Sequence, residues 1–296
     1  MDTKNIHYID VEGIRTRYFE KGTGVPLVLI HGGAIGTGSS FDIFTENLDT
    51  LAKRFHVYAL DKLGHGETDN PEMDSDYTIE RMTEHIIAFV RSLGLERIYL
   101  IGQSRGAYNG VVMCLDHPEL VRSLILCNSA SMIPGVGAIP EFSKRVHAEA
   151  PFEVGTREWV RYRAEVMCYS GNIVSEAWVD EWCRIFHLEK STEARDKMTS
   201  LSAKVFEPSI ERSKKQTIAR VISGDFSTPT LIHWGRDDPS APLEPMGLKV
   251  FDLLASNFAD VSMHVANRAG HFAFREKQAE FNRLATSYFE SFGDED

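Results

Sequence analysis

The sequence predicts an α/β protein: a mainly parallel, eight-stranded sheet with helices on both faces and a helical cap inserted between two of the strands. Three observations carry this. Short, mostly apolar runs of strand length alternate with amphipathic stretches of helix length, the pattern of strands buried on both faces and covered by helices. Two further runs at the start of the chain flank a turn pair, as in a hairpin. One interval, from about Met132 to Gly224, holds no strand signal, yet it is far too long for a plain loop in a compact domain.

In chain order, Ile6 to Val11 and Ile14 to Glu20 flank Glu12-Gly13 and form the hairpin. Leu27 to Ile30, Val57 to Leu60, Ile98 to Ile101, Leu124 to Cys127, Thr230 to His233 and Val261 to Val265 are the apolar runs. Ile79 to Leu93, Ala107 to Leu115 and Gln278 to Phe289 are amphipathic and supply helices between them. Parallel neighbours need such crossovers. The strandless interval carries Phe152, Trp159, Tyr162, Met167, Trp178, Trp182 and Phe186 at roughly helical spacings. It is read as a cap at 132–224 within a core formed by 1–131 and 225–296. Most of its aromatics pack the cap's own interior. A cap must lean on the sheet edge, however, and Trp159 and Trp182 are expected to line a pocket there. The acidic tail Asp294-Glu295-Asp296 is expected to fray.

Across 296 residues, 43% are hydrophobic and 25% charged, an ordinary globular balance. The formal charge of -11 argues against nucleic acid or an anionic membrane as partner. The one basic cluster, Arg212 with Lys214-Lys215, is too short to reverse that. No run approaches the roughly eighteen apolar residues that span a bilayer, and Met1 to His7 lacks the apolar block of a secretory signal, so a cytoplasmic protein is expected. Cys114, Cys127, Cys168 and Cys183 form no C-x-x-C pair and read as reduced, mostly buried thiols. The histidines show no metal-ligand spacing, so neither a metal nor a cofactor is expected. A sheet edge or a cap face could support a homodimer.

Chemistry concentrates at Gly102-Gln103-Ser104-Arg105-Gly106, which follows the run Ile98 to Ile101 and precedes a helical segment. A serine at the apex of a strand, turn and helix is held in strained backbone angles with its hydroxyl pushed out at the carboxyl end of the strand, and small neighbours let the turn close. A serine hydroxyl is a weak nucleophile near neutral pH and requires a base, an acid to orient that base, and donors for an oxyanion. His271, in Ala269-Gly270-His271-Phe272 after the last strand, is the expected base. Asp237 and Asp238 follow the strand that begins at Thr230. Both could supply the acid, in the order serine, acid, histidine. His31-Gly32-Gly33-Ala34 follows another strand. There the Gly33 N–H, with the Arg105 N–H at the start of the helix, forms the expected oxyanion site. His31 is expected to shape that turn, and Asp61 to Gly66 is expected to be a turn as well.

These residues resemble the α/β-hydrolase superfamily over nearly the whole chain. More narrowly, the chain is similar to the meta-cleavage product hydrolases, which cut a carbon–carbon bond in 2-hydroxy-6-oxo-dienoates. The likeness rests on His31-Gly32-Gly33, Gly102 to Gly106, Trp234-Gly235-Arg236-Asp237-Asp238, Gly247-Leu248-Lys249, and Gly270-His271 followed by Glu280-Phe281-Asn282. It implies that fold and Asp238 as the acid, the fourth residue of its G-x-x-D turn. It also implies a small-molecule substrate lying against Gly32, Ala34, Asp42, Gln103 and Phe272. Three of these depart from the group: Gln103 and Asp42 stand where asparagines are usual, and Phe272 where tryptophan commonly follows the histidine. The arginine that would hold a substrate carboxylate aligns near Trp182, with Arg184 two residues on. Two residues swing a helical side chain through about 200°, so an anionic substrate is expected to meet Asp42 with no counter-charge. Carbon–carbon hydrolase and carboxylesterase or lactonase remain alternatives, as does a slow-turnover ligand receptor on the same fold.

Overall fold

A computed structural model describes residues 3–133, 142, 144, 146 and 149–293. The acidic tail at 294–296 and most of the cap's first stretch, 134–148, lie outside the described residues. Eight strands, β1 (Ile6–Val11), β2 (Ile14–Lys21), β3 (Pro26–Ile30), β4 (His56–Leu60), β5 (Ile98–Gln103), β6 (Val121–Cys127), β7 (Thr230–Gly235) and β8 (Val261–Ala266), form one sheet in the order β1-β2-β4-β3-β5-β6-β7-β8. The β1–β2 and β2–β4 pairs are antiparallel, and β3 to β8 run parallel. Burial explains why the central strands read so clearly: every residue of β5 and β7 is buried, whereas the edge strands β1 and β8 carry exposed positions.

Alternate side chains feed two cores, one of which takes in Leu48 and Leu51 of α1 (Thr45–Leu51). Val28, Ile30 and Leu100 join Ile79 to Val90 of α2 (Ile79–Ser92) and Ala107 to Leu115 of α3 (Arg105–Asp116). Leu27, Leu29 and Ile101 join Phe281 and Phe289 of the last helix (Gln278–Glu290) and the aromatics Trp159, Trp178, Trp182 and Phe186. The cap extends both cores rather than standing apart from the sheet, since Ala194, Leu201 and Val221 join the first. Its described helices, α4 (Arg157–Met167), α5 (Glu176–Phe186), α6 (Glu189–Leu201) and α7 (Glu207–Ile222), all fall between β6 and β7, within the expected interval. Hydroxyl caps set two of their starts: Thr156 accepts from the Trp159 N–H at 3.2 Å and Ser175 from the Trp178 N–H at 3.3 Å.

Parallel register sets out the site. Ile30 lies beside Gly102, Gln103 beside Cys127, and Cys127 beside His233. The segments that begin at His31, Ser104 and Asn128, and the turn holding Asp238, thus leave the sheet side by side at its carboxyl edge, where ligands of open α/β sheets bind. Among the described residues, no helix is long and apolar enough to cross a membrane. All four cysteines are free; Cys114 and Cys127 are buried, and Cys168 and Cys183 are partly exposed.

Candidate active site

Ser104 takes φ 53° and ψ -125°, a left-handed conformation that a side chain bearing a Cβ adopts only at a cost. The flanking glycines do not share the strain; they provide clearance. A Cβ on Gly102 would sit 2.4 Å from the Ala107 Cα, and one on Gly106 would sit 2.3 Å from the Ile30 carbonyl oxygen and 2.4 Å from that of His31. The helix α3 can therefore pack its first turn against the loop after β3. That loop holds Gly33 at φ +89°, where a Cβ would fall 2.0 Å from the Ser39 Oγ. Among the described residues, the backbone N–H groups of Gly33 and Arg105 have no acceptor, while the Gly32 N–H is taken by the Gln103 Oε1 at 3.0 Å. His31 is a fixture of the same loop. Its Nε2 accepts from the Lys62 N–H at 3.2 Å and its Nδ1 donates to the Gly32 carbonyl at 2.7 Å. Burial holds its pKa well below the usual histidine value.

His271 and Asp238 meet directly: the imidazole Nδ1 donates to the Asp238 Oδ2 at 2.8 Å. The carboxylate is sealed from solvent and fully satisfied. Its Oδ1 accepts from the Ser240 N–H (2.8 Å), the Ser240 hydroxyl (2.9 Å) and the Ala241 N–H (2.9 Å), and its Oδ2 also accepts from the Asn128 amide at 2.8 Å. Of the two aspartates, Asp238 is thus the one that holds the histidine; the Asp237 Oδ2 is buried without a partner. Glu276, which belongs to no motif read above, fixes the histidine loop to the cap. One oxygen accepts from the Gly270 N–H at 2.6 Å and the other from the Tyr169 N–H at 2.9 Å. The His271 N–H in turn donates to the Met167 carbonyl at 2.7 Å.

Ser104 and His271 line a cavity of about 110 Å³ together with Gly32, Gly33, Ala34, Asp42, Gln103, Arg163, Trp178, Trp182 and Phe272. Gln103 is a strut as well as a wall, since its Nε2 reaches the His271 carbonyl at 3.4 Å. Trp182 is anchored by its Nε1 on the Thr37 carbonyl at 2.7 Å, and Phe272 meets the Trp178 ring edge to face at 5.1 Å. Trp159 is a correction. It does not line the cavity but packs on Phe186 with ring centres 5.5 Å apart, and the residue one turn further along the same helix, Arg163, covers it at 4.6 Å.

A second correction concerns charge. Asp42 does lie against a cation, Arg17, whose Nη1 is 3.0 Å from the Asp42 Oδ2 and, shared, 3.1 Å from the Asp61 Oδ2. Arg163, which the sequence reading did not single out, is the arginine that lines the cavity. Among the described residues it has no carboxylate partner; its guanidinium lies over the rings of Trp159 and Trp182, and burial lowers its pKa to about 10. Arg184, by contrast, is committed to Glu181 (2.7 Å) and Glu67 (2.6 Å). Ser104, His271, Gly33, Ala34 and Met167 also border a second compartment of about 580 Å³, whose walls include Arg105, Tyr108, Met198 and Phe206.

A doubly wound sheet with a strained serine at the edge of β5, a carboxylate-held histidine and free amides beside it defines a hydrolase-type scaffold. Residues 25–278 match the α/β hydrolase fold family, and the chain belongs to it as a hydrolase. Over 286 residues it is 26% identical to a 2-hydroxy-6-oxo-6-(2'-aminophenyl)hexa-2,4-dienoic acid hydrolase of Metapseudomonas resinovorans, covering 95% of this chain and 89% of that one. It is 27% identical over 290 residues to a 2-hydroxy-6-oxo-6-phenylhexa-2,4-dienoate hydrolase of Comamonas testosteroni, covering 94% and 92%. A solved meta-cleavage product hydrolase from Pseudomonas fluorescens IP01 superposes with a TM-score of 0.78 at 23% identity over 97% of this chain and 98% of that one.

Proposed function

We propose that the protein is a cytoplasmic serine hydrolase that cleaves the carbon–carbon bond beside a ketone in a small, carboxylate-bearing dienoate. The observation that supports this reading is that Ser104 and the Asp238-held His271 line one cavity, together with Arg163, which has no carboxylate partner among the described residues. Because Asp238 takes the proton-bearing Nδ1, the Nε2 is left as the base, the tautomer that general-base catalysis requires. The Ser104 hydroxyl loses its proton to that nitrogen as its oxygen adds to the substrate ketone. The oxyanion so formed accepts from the Gly33 and Arg105 N–H groups. Collapse breaks the carbon–carbon bond. The leaving carbon carries the electron pair as a dienolate, after the substrate's enol has become a ketone, and takes the proton from His271. Water, deprotonated by His271, then releases the acyl group from Ser104 as an acid. Arg163 would hold the dienoate carboxylate.

The test mixes purified protein with a 2-hydroxy-6-oxo-dienoate and follows loss of its visible chromophore, beside release of p-nitrophenol from short esters. The reading expects the dienoate to be turned over with the higher kcat/KM. Ester or lactone turnover without dienoate turnover would assign carboxylester hydrolysis instead, and tight ligand binding with neither would assign a receptor.

A further inference from the structure

We propose that the substrate is anionic on both sides of the bond that is cut, with one carboxylate on Arg163 and a second on the guanidinium of Arg105. The proposal rests on the function proposed above and specifies its substrate class. Ser104 and His271 border two compartments, so a bound ketone at Ser104 sends one substituent into each. Each compartment contains one arginine, and among the described residues neither arginine has an ion-pair partner. Among the described residues the two buried arginines are paired, Arg17 with Asp42 and Asp61, and Arg275 with Glu46 at 3.3 Å, whereas Arg105 and Arg163 are half-buried and unpaired. A cation taken out of water without a carboxylate is a cost the fold does not recover by itself.

The Arg105 side chain is placed to bind. Its Nη1 donates to the Gly33 carbonyl at 3.0 Å, which fixes it next to the nucleophile, and its face lies 5.2 Å from the Phe206 ring. Among the described residues, its Nε and Nη2 have no acceptor, and neither is sealed away from the compartment. Desolvation alone lowers its pKa to about 10, with no opposing carboxylate. Among the described residues the two acidic side chains of that compartment, Glu207 and Glu211, are exposed and already engaged, by the Ser202 hydroxyl at 3.0 Å and the Lys214 ammonium at 3.1 Å. The other described walls carry no carboxylate: apolar Met198 and Phe206 stand beside neutral polar Tyr108, Asn128 and Ser240. An acyl substituent ending in a carboxylate would thus find a two-donor fork that no carboxylate of the described residues occupies.

Two 2-hydroxy-6-oxo-dienoates test this, identical except that the 6-substituent ends in a carboxylate or in its methyl ester. Wild-type protein is expected to favour the acid in kcat/KM by roughly tenfold or more, the scale of a charge-assisted contact. Arg105→Gln should bring that ratio to about one, Arg105→Lys should keep part of it, and Arg163→Gln should slow both substrates and preserve it. Equal or inverted preference in the wild type, or a ratio unchanged in Arg105→Gln, would overturn the proposal and leave Arg105 as a brace for Gly33. A second measurement needs no dienoate turnover. It measures protection of Ser104 from a fluorophosphonate probe by 4-oxoheptanedioate against 4-oxoheptanoate. The diacid should protect at roughly tenfold lower concentration, and only when Arg105 is present; equal protection overturns the dianion. Absence of dienoate turnover alongside diacid-selective protection would overturn the carbon–carbon reading alone.

Discussion

Asp238→Asn tests the site most sharply, because the surroundings dictate how the new amide must sit. Three donors converge on the Oδ1: two backbone N–H groups and the Ser240 hydroxyl. An amide NH₂ cannot replace an oxygen there, so the Asn oxygen takes that position and its NH₂ turns to the Oδ2 side. It then faces the His271 Nδ1 and the Asn128 NH₂, both donors at 2.8 Å in the native site. To accept from the amide, the imidazole must shift its proton to Nε2 and can no longer take one from Ser104. The expected loss is about 10⁴-fold in turnover, or about 5 kcal/mol of transition-state stabilisation. The Asn128 clash adds a stability loss of about 1–3 kcal/mol, the cost of a buried donor left unpaired. Single-turnover rates and fluorophosphonate labelling of Ser104 measure the first, and a thermal melt the second. Asp237→Asn should change the rate only a few-fold, since that side chain makes no hydrogen bond to the histidine. An Asp238→Asn enzyme within tenfold of wild type, or a more damaged Asp237→Asn enzyme, would refute the relay.

Arg163→Met should raise KM for carboxylate-bearing substrates by roughly 10- to 100-fold and leave short uncharged esters within about threefold; equal losses on both would remove Arg163 from carboxylate binding. Gly106→Ala places a Cβ against two backbone carbonyls and should cost about 1–3 kcal/mol in a denaturant titration, whereas Gly110→Ala, whose Cβ would meet only the Leu100 and Leu124 side chains at 3.2 Å, should be far milder. Burial lowers the pKa of His85 to about 4 and of His233 to about 3, so the unfolded chain binds more protons between pH 6.5 and 4. Stability is then complete above pH 6.5 and falls as the solution is acidified, by about 2 to 3 kcal/mol for each histidine at pH 4.5. His233→Phe should remove its share of that slope, and an unchanged difference between melts at pH 7 and pH 4.5 would count against it.

The centre of the sheet was legible because strands buried on both faces read as unbroken apolar runs. Where polar residues enter a strand the reading shortened: β6 starts at Val121, ahead of Arg122 and Ser123, not at Leu124. Ser104 and His271 were legible because local backbone needs, tight glycines beside a strand end, leave marks in sequence, whereas the residues alone left Asp237 and Asp238 open and the family resemblance favoured Asp238. Trp159 was not, since aromatics three or four apart on a helix share a face and the sequence does not say towards which neighbour it turns. Arg17 and Arg163 were equally hidden. An arginine in an outer strand or on a cap helix reads as solvated until tertiary packing brings Asp42 and Asp61 to the one and two indole rings to the other.

The chain is acidic overall, yet each compartment beside the nucleophile presents an arginine with no carboxylate partner among the described residues. Formal charge counts every exposed carboxylate, and most of those are screened from the cavity by solvent. Within the site, desolvation selects. Among the described residues Lys62 has no acceptor for its ammonium, and burial holds it well below the ordinary lysine range and favours neutral His31 and His65. Among the described residues, Asp42 is the only carboxylate lining the Arg163 cavity, and it lies against Arg17, which Asp61 shares. What remains facing the nucleophile is Arg163 on one side and Arg105 on the other. A substrate that brings its own carboxylates completes two pairs that folding left half-made. A neutral ester of the same size recovers none of that cost, and the selectivity between them measures how much of it the site retains.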